Sequence, residues 1–167
     1  MNSPRNERQN KSKQPAPVEP RLTRSLDDAL GYQLRRAQEA SFAAFARRAG
    51  TARIWPGWYA LLTIISDNPG INQTDLSKAS GRDKSTLTAT LRELGKEELI
   101  ERVRDDTDRR SFQIYLSEKG KIQLAELSVH AKAHDRQLDA IVGQPNRRLL
   151  LAMLRDLTDS LAENIPD

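Results

Sequence analysis

The chain has 167 residues, enough for one ordinary domain whose hydrophobic core needs no disulfide or structural metal. It contains no cysteine, which excludes disulfide frameworks, thiolate metal sites, iron–sulfur clusters and thiol-based redox chemistry. No apolar run approaches the ~20 residues of a membrane span, and residues 1–20 contain no stretch typical of a signal peptide. We therefore expect a cytoplasmic protein.

The net charge of +4 comes from the N-terminal segment. Residues 1–24 contain six basic and two acidic side chains, whereas the rest of the chain has 21 of each. This segment also contains four of the eight prolines and few apolar side chains, so we expect a disordered tail. The tail is either simply solvated or makes weak phosphate contacts. Nucleic-acid binding by the body must be argued from clustered charges, because its net charge is zero.

Helical spacing begins near Ser25. Ser25 is expected to cap one long helix that runs to about Ala49, with Gly50 as its C-terminal signal. Pro56 is a good first residue for the next helix. Nearly every position from Trp58 to Ile65 is apolar, which predicts that this second helix is buried.

The middle of the chain has the pattern of a helix-turn-helix followed by a hairpin. A short helix over 73–79, a turn containing Gly81 and a longer helix from 84 to about 97 fit the first motif, with Asn72 and Asp83 as N-caps. Residues 99–104 and 111–116 are predicted strands on either side of a charged loop, which together would form a wing. The inward positions of the two helices are Leu76, Ala79, Leu87, Leu91 and Leu94.

Two further helices complete the chain. Ser117 is expected to cap a long helix that ends at Gly143 and Pro145. The last helix has an apolar face of Leu149, Leu150, Met153, Leu154, Leu157 and Leu161. The predicted fold class is mainly α with a small β wing. It comprises a winged helix-turn-helix lobe (55–116) and helical dimerisation regions (25–50 and 117–163) within one domain (25–163).

Four motifs resemble the MarR (multiple antibiotic resistance regulator) family. They occur in the family's order within a match covering about residues 30–161. They are Asp83-Lys-Ser-Thr-Leu-Thr-Ala-Thr-Leu-Arg-Glu-Leu94, Leu99-Ile-Glu-Arg102, Asp105-Asp-Thr-Asp-Arg-Arg-Ser-Phe112 and Leu116-Ser-Glu-Lys-Gly120. The family's Asp-x-Arg-Arg/Ser wing signature maps onto Asp108, Arg110 and Ser111. Its Leu-Thr/Ser-x-x-Gly step maps onto Leu116, Ser117 and Gly120.

The resemblance implies a winged-helix transcriptional regulator, with two departures from the family pattern. Trp55 occupies the place where the family often has a capping Thr or Ser, so it adds aromatic bulk beside Trp58. There is also no cysteine near the first helix, so the thiol sensing of one family branch cannot operate here.

The expected DNA-binding residues are in the second helix of the motif and in the wing. A recognition helix places its N-terminal half in the major groove, and arginine suits a narrow minor groove. The resemblance implies that Arg110 enters the minor groove, in preference to Arg109, and that Asp108 orients it or a neighbour. The alternative is that both surfaces are merely solvated. The full set is Lys84, Ser85, Thr86, Thr88, Arg92, Asp108, Arg109 and Arg110.

The apolar surface of the terminal helices exceeds what a small winged domain can cover, so we expect an isologous homodimer on a pseudo-palindromic double-stranded DNA operator. The resemblance also implies repression that is relieved by a small effector, often an aromatic acid or a derivative such as a thioester. Alternatively, the aromatic candidates are simply core residues. The candidate lining residues are Tyr32, Arg36, Trp55, Trp58 and Tyr59.

Other classes of function are weaker. His130 and His134 are spaced to share a metal on a helix, but no third ligand is obvious, so we expect neither metal nor cofactor. The chain has no G-x-S-x-G elbow, phosphate-binding glycine loop or H-E-x-x-H motif, which argues against an enzyme. A winged-helix protein-interaction module and a regulator without an effector remain alternatives.

Overall fold

The computed structural model describes residues 24–50, 56–104 and 112–163. The predicted tail up to residue 23, Trp55 and the wing residues Asp108, Arg109 and Arg110 lie outside these ranges. The described residues divide between positions 37 and 38 into two compact units, and each is considered by itself.

The first unit contains a break where one continuous helix was expected. Helix α1 spans Arg24–Asp27, and α2 (Leu30–Ala49) begins three residues later. The Ala29 amide donates to the Leu26 carbonyl oxygen in a tight turn, and the Gln33 side-chain amide donates to the Asp27 carbonyl oxygen at 2.5 Å. Because aspartates compete with helical backbone bonding, Asp27 and Asp28 favour such a break. The prediction of Ser25 as the cap of a long helix is therefore wrong, since Ser25 lies inside α1.

The helix-turn-helix forms as predicted. Its two helices are α4 (Gln73–Ser80) and α5 (Lys84–Lys96), and they are preceded by α3 (Pro56–Asp67) and the short strand β1 (Ile71–Asn72). The Asn72 side chain accepts a hydrogen bond from the Asp75 amide at 2.9 Å, and Asp83 accepts from the Thr86 amide at 2.8 Å. Gly81, with φ +64°, supplies the left-handed turn between the two helices.

The wing belongs to a three-stranded antiparallel sheet. Its strands β2 (Ile100–Arg104) and β3 (Phe112–Leu116) pair with Ile100 opposite Leu116. Strand β1 adds to the other edge of β3, with Ile71 opposite Ile114, so the order is β1–β3–β2. The sequence predicted only the hairpin, because a two-residue strand is too short to show a periodic pattern.

The last two helices are α6 (Glu118–Val142) and α7 (Gln144–Glu163). Ser117 caps α6 by accepting from the Gly120 amide at 2.9 Å, and Gly143 (φ +79°) ends it. Arg147 at the start of α7 donates from Nε to the Asp139 carboxylate at 2.5 Å, and its Nη2 lies 3.5 Å from Asp135 Oδ2. These pairs join α7 to α6, and the Asp139 bond raises the pKa of Arg147.

The core of the second unit lies where α3, α4, α5, the sheet and α6 meet. Ala79, expected to face inward beside Leu76, is exposed. None of the helices that the structure describes is long and apolar enough to cross a membrane. The buried apolar residues are Phe45, Leu61, Leu62, Ile65, Leu76, Leu87, Leu91, Leu94, Leu99, Ile100, Ile114 and Leu127.

Candidate DNA interface and ligand cavities

Helix α5 has one buried apolar side and one exposed polar side. The inward residues Leu87, Leu91 and Leu94 have no solvent exposure, which fixes the rotation of the helix. All five predicted DNA-contacting residues of α5 are exposed on the remaining surface. They are Lys84, Ser85, Thr86, Thr88 and Arg92.

The N-terminus of α5 is held by a charged cap. The Asp83 carboxylate accepts hydrogen bonds from the Ser85 hydroxyl at 2.5 Å and from the Thr86 amide at 2.8 Å. These bonds hold the pKa of Asp83 well below its usual range. The Ser85 proton is thereby engaged, so its oxygen faces solvent mainly as an acceptor.

Thr88 is linked to both helices of the motif. Its hydroxyl donates to the Lys84 carbonyl oxygen at 2.6 Å and accepts from the Gln73 side-chain amide at 2.7 Å. Gln73, the first residue of α4, is absent from the predicted set, because no spacing rule marks a polar side chain that bridges two helices. It holds Thr88 in one orientation on the exposed face.

The predicted DNA contacts Asp108, Arg109 and Arg110, which come between β2 and β3 in the sequence, lie outside the described residues. In the strand pair next to the loop of the hairpin, the Arg104 guanidinium carbon lies 6.0 Å from the ring centroid of Phe112. Both residues are exposed.

Two of the five predicted effector residues belong to the first unit. The Arg36 guanidinium carbon lies 5.8 Å from the Tyr32 ring centroid, so this pair shares one helix face as expected. Arg36 Nη1 also lies 3.9 Å from Asp27 Oδ1. The predicted cation is therefore already in contact with a carboxylate and an aromatic ring.

The remaining described effector residues line two different cavities. Trp58 lines one of about 560 Å³, and Tyr59 lines another of about 340 Å³. Neighbouring residues of a helix are about 100° apart around its axis, so Trp58 and Tyr59 face different sides of α3. Neither of these two cavities is lined by both aromatic residues, so a single pocket containing both stays a prediction.

The Trp58 cavity borders α5. The Arg82 guanidinium packs against Gly57 so closely that a Cβ there would collide with it, and Arg82 Nη1 lies 3.4 Å from the Thr90 hydroxyl oxygen. Arg92, one of the predicted DNA contacts, also lines this cavity. A change in the shape of this cavity would therefore move side chains of α5.

The smaller cavity, named here the His134 cavity, contains a buried histidine. His134 Nε2 lies 2.9 Å from the Ser41 hydroxyl oxygen, and the Phe45 ring meets the imidazole edge-on at 5.7 Å. His134 Nδ1 is buried and has no hydrogen-bond partner among the residues that the structure describes. The residue is absent from the predicted effector set, although its place at i+7 from Leu127 on an apolar stripe was a signal. The lining residues are Ser41, Phe42, Phe45, Tyr59, Ala131, Lys132, His134 and Asp135.

Comparison with known proteins identifies the family. The sequence profile of the MarR family matches residues 56–112. A Thauera aromatica protein named as a transcriptional regulator for the hcr operon is 32% identical over 134 residues, covering 80% of this chain and 81% of the relative. The chain belongs to the MarR family of transcriptional regulators.

Solved structures of the transcriptional repressor CouR agree with this assignment. CouR bound to a 23-mer DNA duplex is 32% identical, with a TM-score of 0.73, over 83% of this chain and 99% of that chain. CouR bound to p-coumaroyl-CoA is 29% identical, also with a TM-score of 0.73, over 82% and 96% of the two chains.

The MarR motif between the wing and α6 has a clear structural role in this chain. The Ser117 hydroxyl donates to the Glu98 carbonyl oxygen at 2.6 Å while accepting from the Gly120 amide. A Cβ at Gly120 would collide with the Leu99 carbonyl group. The serine and glycine of the motif therefore allow α6 to begin directly against the strand that opens the wing.

Proposed function

We propose that this protein is a homodimeric repressor that binds a pseudo-palindromic operator and is released by a small aromatic acid or its thioester. The observation that carries the proposal is the exposed polar face of α5 above three leucines with no solvent exposure. The similarity to a DNA-bound repressor supports the same function. No catalytic role or cofactor forms part of the proposal. Because a DNA-binding regulator acts where the chromosome is, we also propose a cytoplasmic location.

The recognition helix would lie in the major groove. Lys84 and Arg92 supply cations at the two ends of the exposed face, while Ser85 supplies an acceptor for base amino groups. Thr86 and Thr88 complete this face. In the wing, we propose Arg110 as the minor-groove residue, with Asp108 orienting it or a neighbour and Arg109 as a further contact.

A dimer would cover the apolar face of α7. Leu149, Met153 and Leu161 are each more than half exposed in the single chain. An isologous interface would bury them and place two α5 helices on half-sites about one helical turn, ~34 Å, apart. A protein that is monomeric by light scattering at micromolar concentration would contradict this part of the proposal.

The effector would act through the cavities beside α3. The p-coumaroyl-CoA complex of CouR supports an aromatic acyl group as the ligand class. Trp58 and Tyr59 are assigned to separate cavities, while Trp55 and, in the first unit, Tyr32 and Arg36 remain proposed effector-binding residues.

The decisive experiment is a gel shift with the DNA upstream of the protein's own gene, in the presence of nonspecific competitor and over a salt series. We expect a discrete, dimer-sized shift that weakens steeply with salt, because bound phosphates release counterions. Two results together would favour the protein-interaction alternative. They are a protein complex that persists at high salt and a genome-wide selection that recovers no bound DNA fragment.

The wing can be tested in the same assay. Arg110→Ala should weaken operator binding by ~1–3 kcal/mol without loss of the fold. Arg136→Ala, which removes the same charge from α6, is the matched control and should leave affinity nearly unchanged. Equal affinities of the two variants would remove the wing from the mechanism.

A further inference from the structure

One of the two ring nitrogens of His134 has a hydrogen-bond partner, and the other has none among the described residues. The residue is only 8% exposed, and Ser41 occupies its Nε2 atom. Its Nδ1 atom is buried without a partner within the described part of the chain. A buried polar atom without a hydrogen bond costs free energy, so such an atom on a residue that lines a cavity indicates a group that a ligand reaching it would complete.

The cavity beside His134 suits an aromatic ring. Phe42, Phe45 and Tyr59 provide three aromatic walls, and the volume of about 340 Å³ lies in the usual range for small-molecule sites. A single ring with a short side chain fits this space, and its edge would meet the aromatic faces favourably.

The mouth of the cavity favours an anion. Its two charged lining residues are Lys132 and Asp135, both exposed. Asp135 is paired with Arg147 at 3.5 Å, whereas Lys132 forms no ion pair with any residue in the described ranges. The uncompensated charge at the mouth is therefore positive, which complements a carboxylate or the phosphates of a thioester carrier.

We propose that His134 selects the ligand of this site by hydrogen-bonding a hydroxyl group on its aromatic ring, with Ser41 orienting the imidazole and Lys132 attracting the anionic end. If Nε2–H donates to Ser41, Nδ1 accepts from the ligand, and if Ser41 donates to Nε2, Nδ1–H donates to the ligand. A hydroxyl satisfies either tautomer, because it both donates and accepts. The proposal rests on the ligand-responsive function above.

The test compares ligands with and without a ring hydroxyl group, in the native protein and in three variants. Full-length protein is titrated calorimetrically with 4-hydroxycinnamate and cinnamate, and with the CoA thioesters of both acids. We expect the native protein to bind the hydroxylated member at least about tenfold more tightly, as one hydrogen bond allows. His134→Phe should bind both members equally, while His130→Phe, on the same helix, should keep the preference. Ser41→Ala should reduce it in part.

A direct measurement avoids dependence on variants that fold poorly. With 15N-histidine labelling of the native protein, the Nδ1 resonance of His134 should shift with the hydroxylated probe and stay in place with cinnamate. Whichever hydroxylated form binds more tightly, the acid or the thioester, identifies the source of the ligand.

Three results would overturn the proposal. They are no preference in the native protein, an unchanged preference in His134→Phe, and no binding of either hydroxylated probe. The operator gel shift is measured without ligand, so a specific shift alongside any of these results would leave the DNA-binding function intact and reject only the role of His134.

Discussion

Helices α5 and α7 share an amphipathic spacing of leucines but differ in what covers their apolar faces. Both place leucines at helical spacing, yet Leu87, Leu91 and Leu94 are fully buried, whereas Leu149 is 57% and Leu161 64% exposed. Helix α5 packs against α4 and β2 of its own chain. No described element covers the apolar face of α7 to that extent. An amphipathic pattern thus identifies a face that needs covering, but it does not say whether the same chain or a second copy covers it.

Truncating one leucine in each helix would sharpen this comparison most strongly. Leu91→Ala should lower the free energy of unfolding by ~2–5 kcal/mol, because it leaves a cavity in the core. Leu149→Ala should instead weaken dimerisation and barely change the lobe. Denaturation with guanidinium at fixed protein concentration measures the first effect, and light scattering over a dilution series measures the second.

The comparison would fail if Leu149→Ala left the dissociation constant of the dimer unchanged. In that case the exposed face of α7 would not be the dimer interface. A large shift in dimerisation for Leu91→Ala, with normal unfolding, would contradict the assignment of α5 to the core of a single lobe.

The features that sequence alone predicted best depend on local chemistry. The caps Asn72, Asp83 and Ser117 bond to amides three residues later, so neighbouring residues suffice to predict them. The inward leucines of α5 follow from spacing in the same way, and they determine which α5 residues are exposed.

The features that were missed depend on distant partners or on side-chain reach. Strand β1 exists because Ile71 pairs with Ile114, 43 positions away in the numbering. The break before α2 depends on Gln33 reaching Asp27, and the role of His134 depends on Ser41 of another helix. The spacing of residues along the sequence does not show which of them will be in contact in this way.

The two glycines on either side of the wing offer a second test. Gly120 sits against the Leu99 carbonyl, whereas Gly95 in α5 has open space where a Cβ would be. Gly120→Ala should destabilise the protein by ~1–3 kcal/mol through overpacking against backbone. Gly95→Ala should stabilise it by up to ~1 kcal/mol, because alanine is the better helix former. Thermal unfolding of both variants would measure the difference, and the same sign for both would contradict the close approach at Gly120.

The smallest expected effect is a difference in how stability depends on pH between the charged cap of α5 and the neutral cap of α6. The pKa of Asp83 is lowered in the folded state, so its carboxylate stabilises the fold above the unfolded-state pKa of ~3.9, and this contribution is lost as pH falls below that value. Asp83→Asn retains a capping oxygen but has no charge to lose. The native protein should therefore exceed the variant in melting temperature at pH 5–7, and the gap should close below about pH 4.

Ser117→Ala provides the counterpart, because the Ser117 hydroxyl does not titrate. Its loss should cost ~0.5–2 kcal/mol, by the same amount on both sides of pH 4. If the Asp83→Asn gap stayed constant with pH as well, the hydrogen bonds from Ser85 and Thr86 would not be stabilising the ionised carboxylate. The N-terminus of α5 would then be stabilised by hydrogen bonds without a contribution from charge, like the N-terminus of α6, which Ser117 caps.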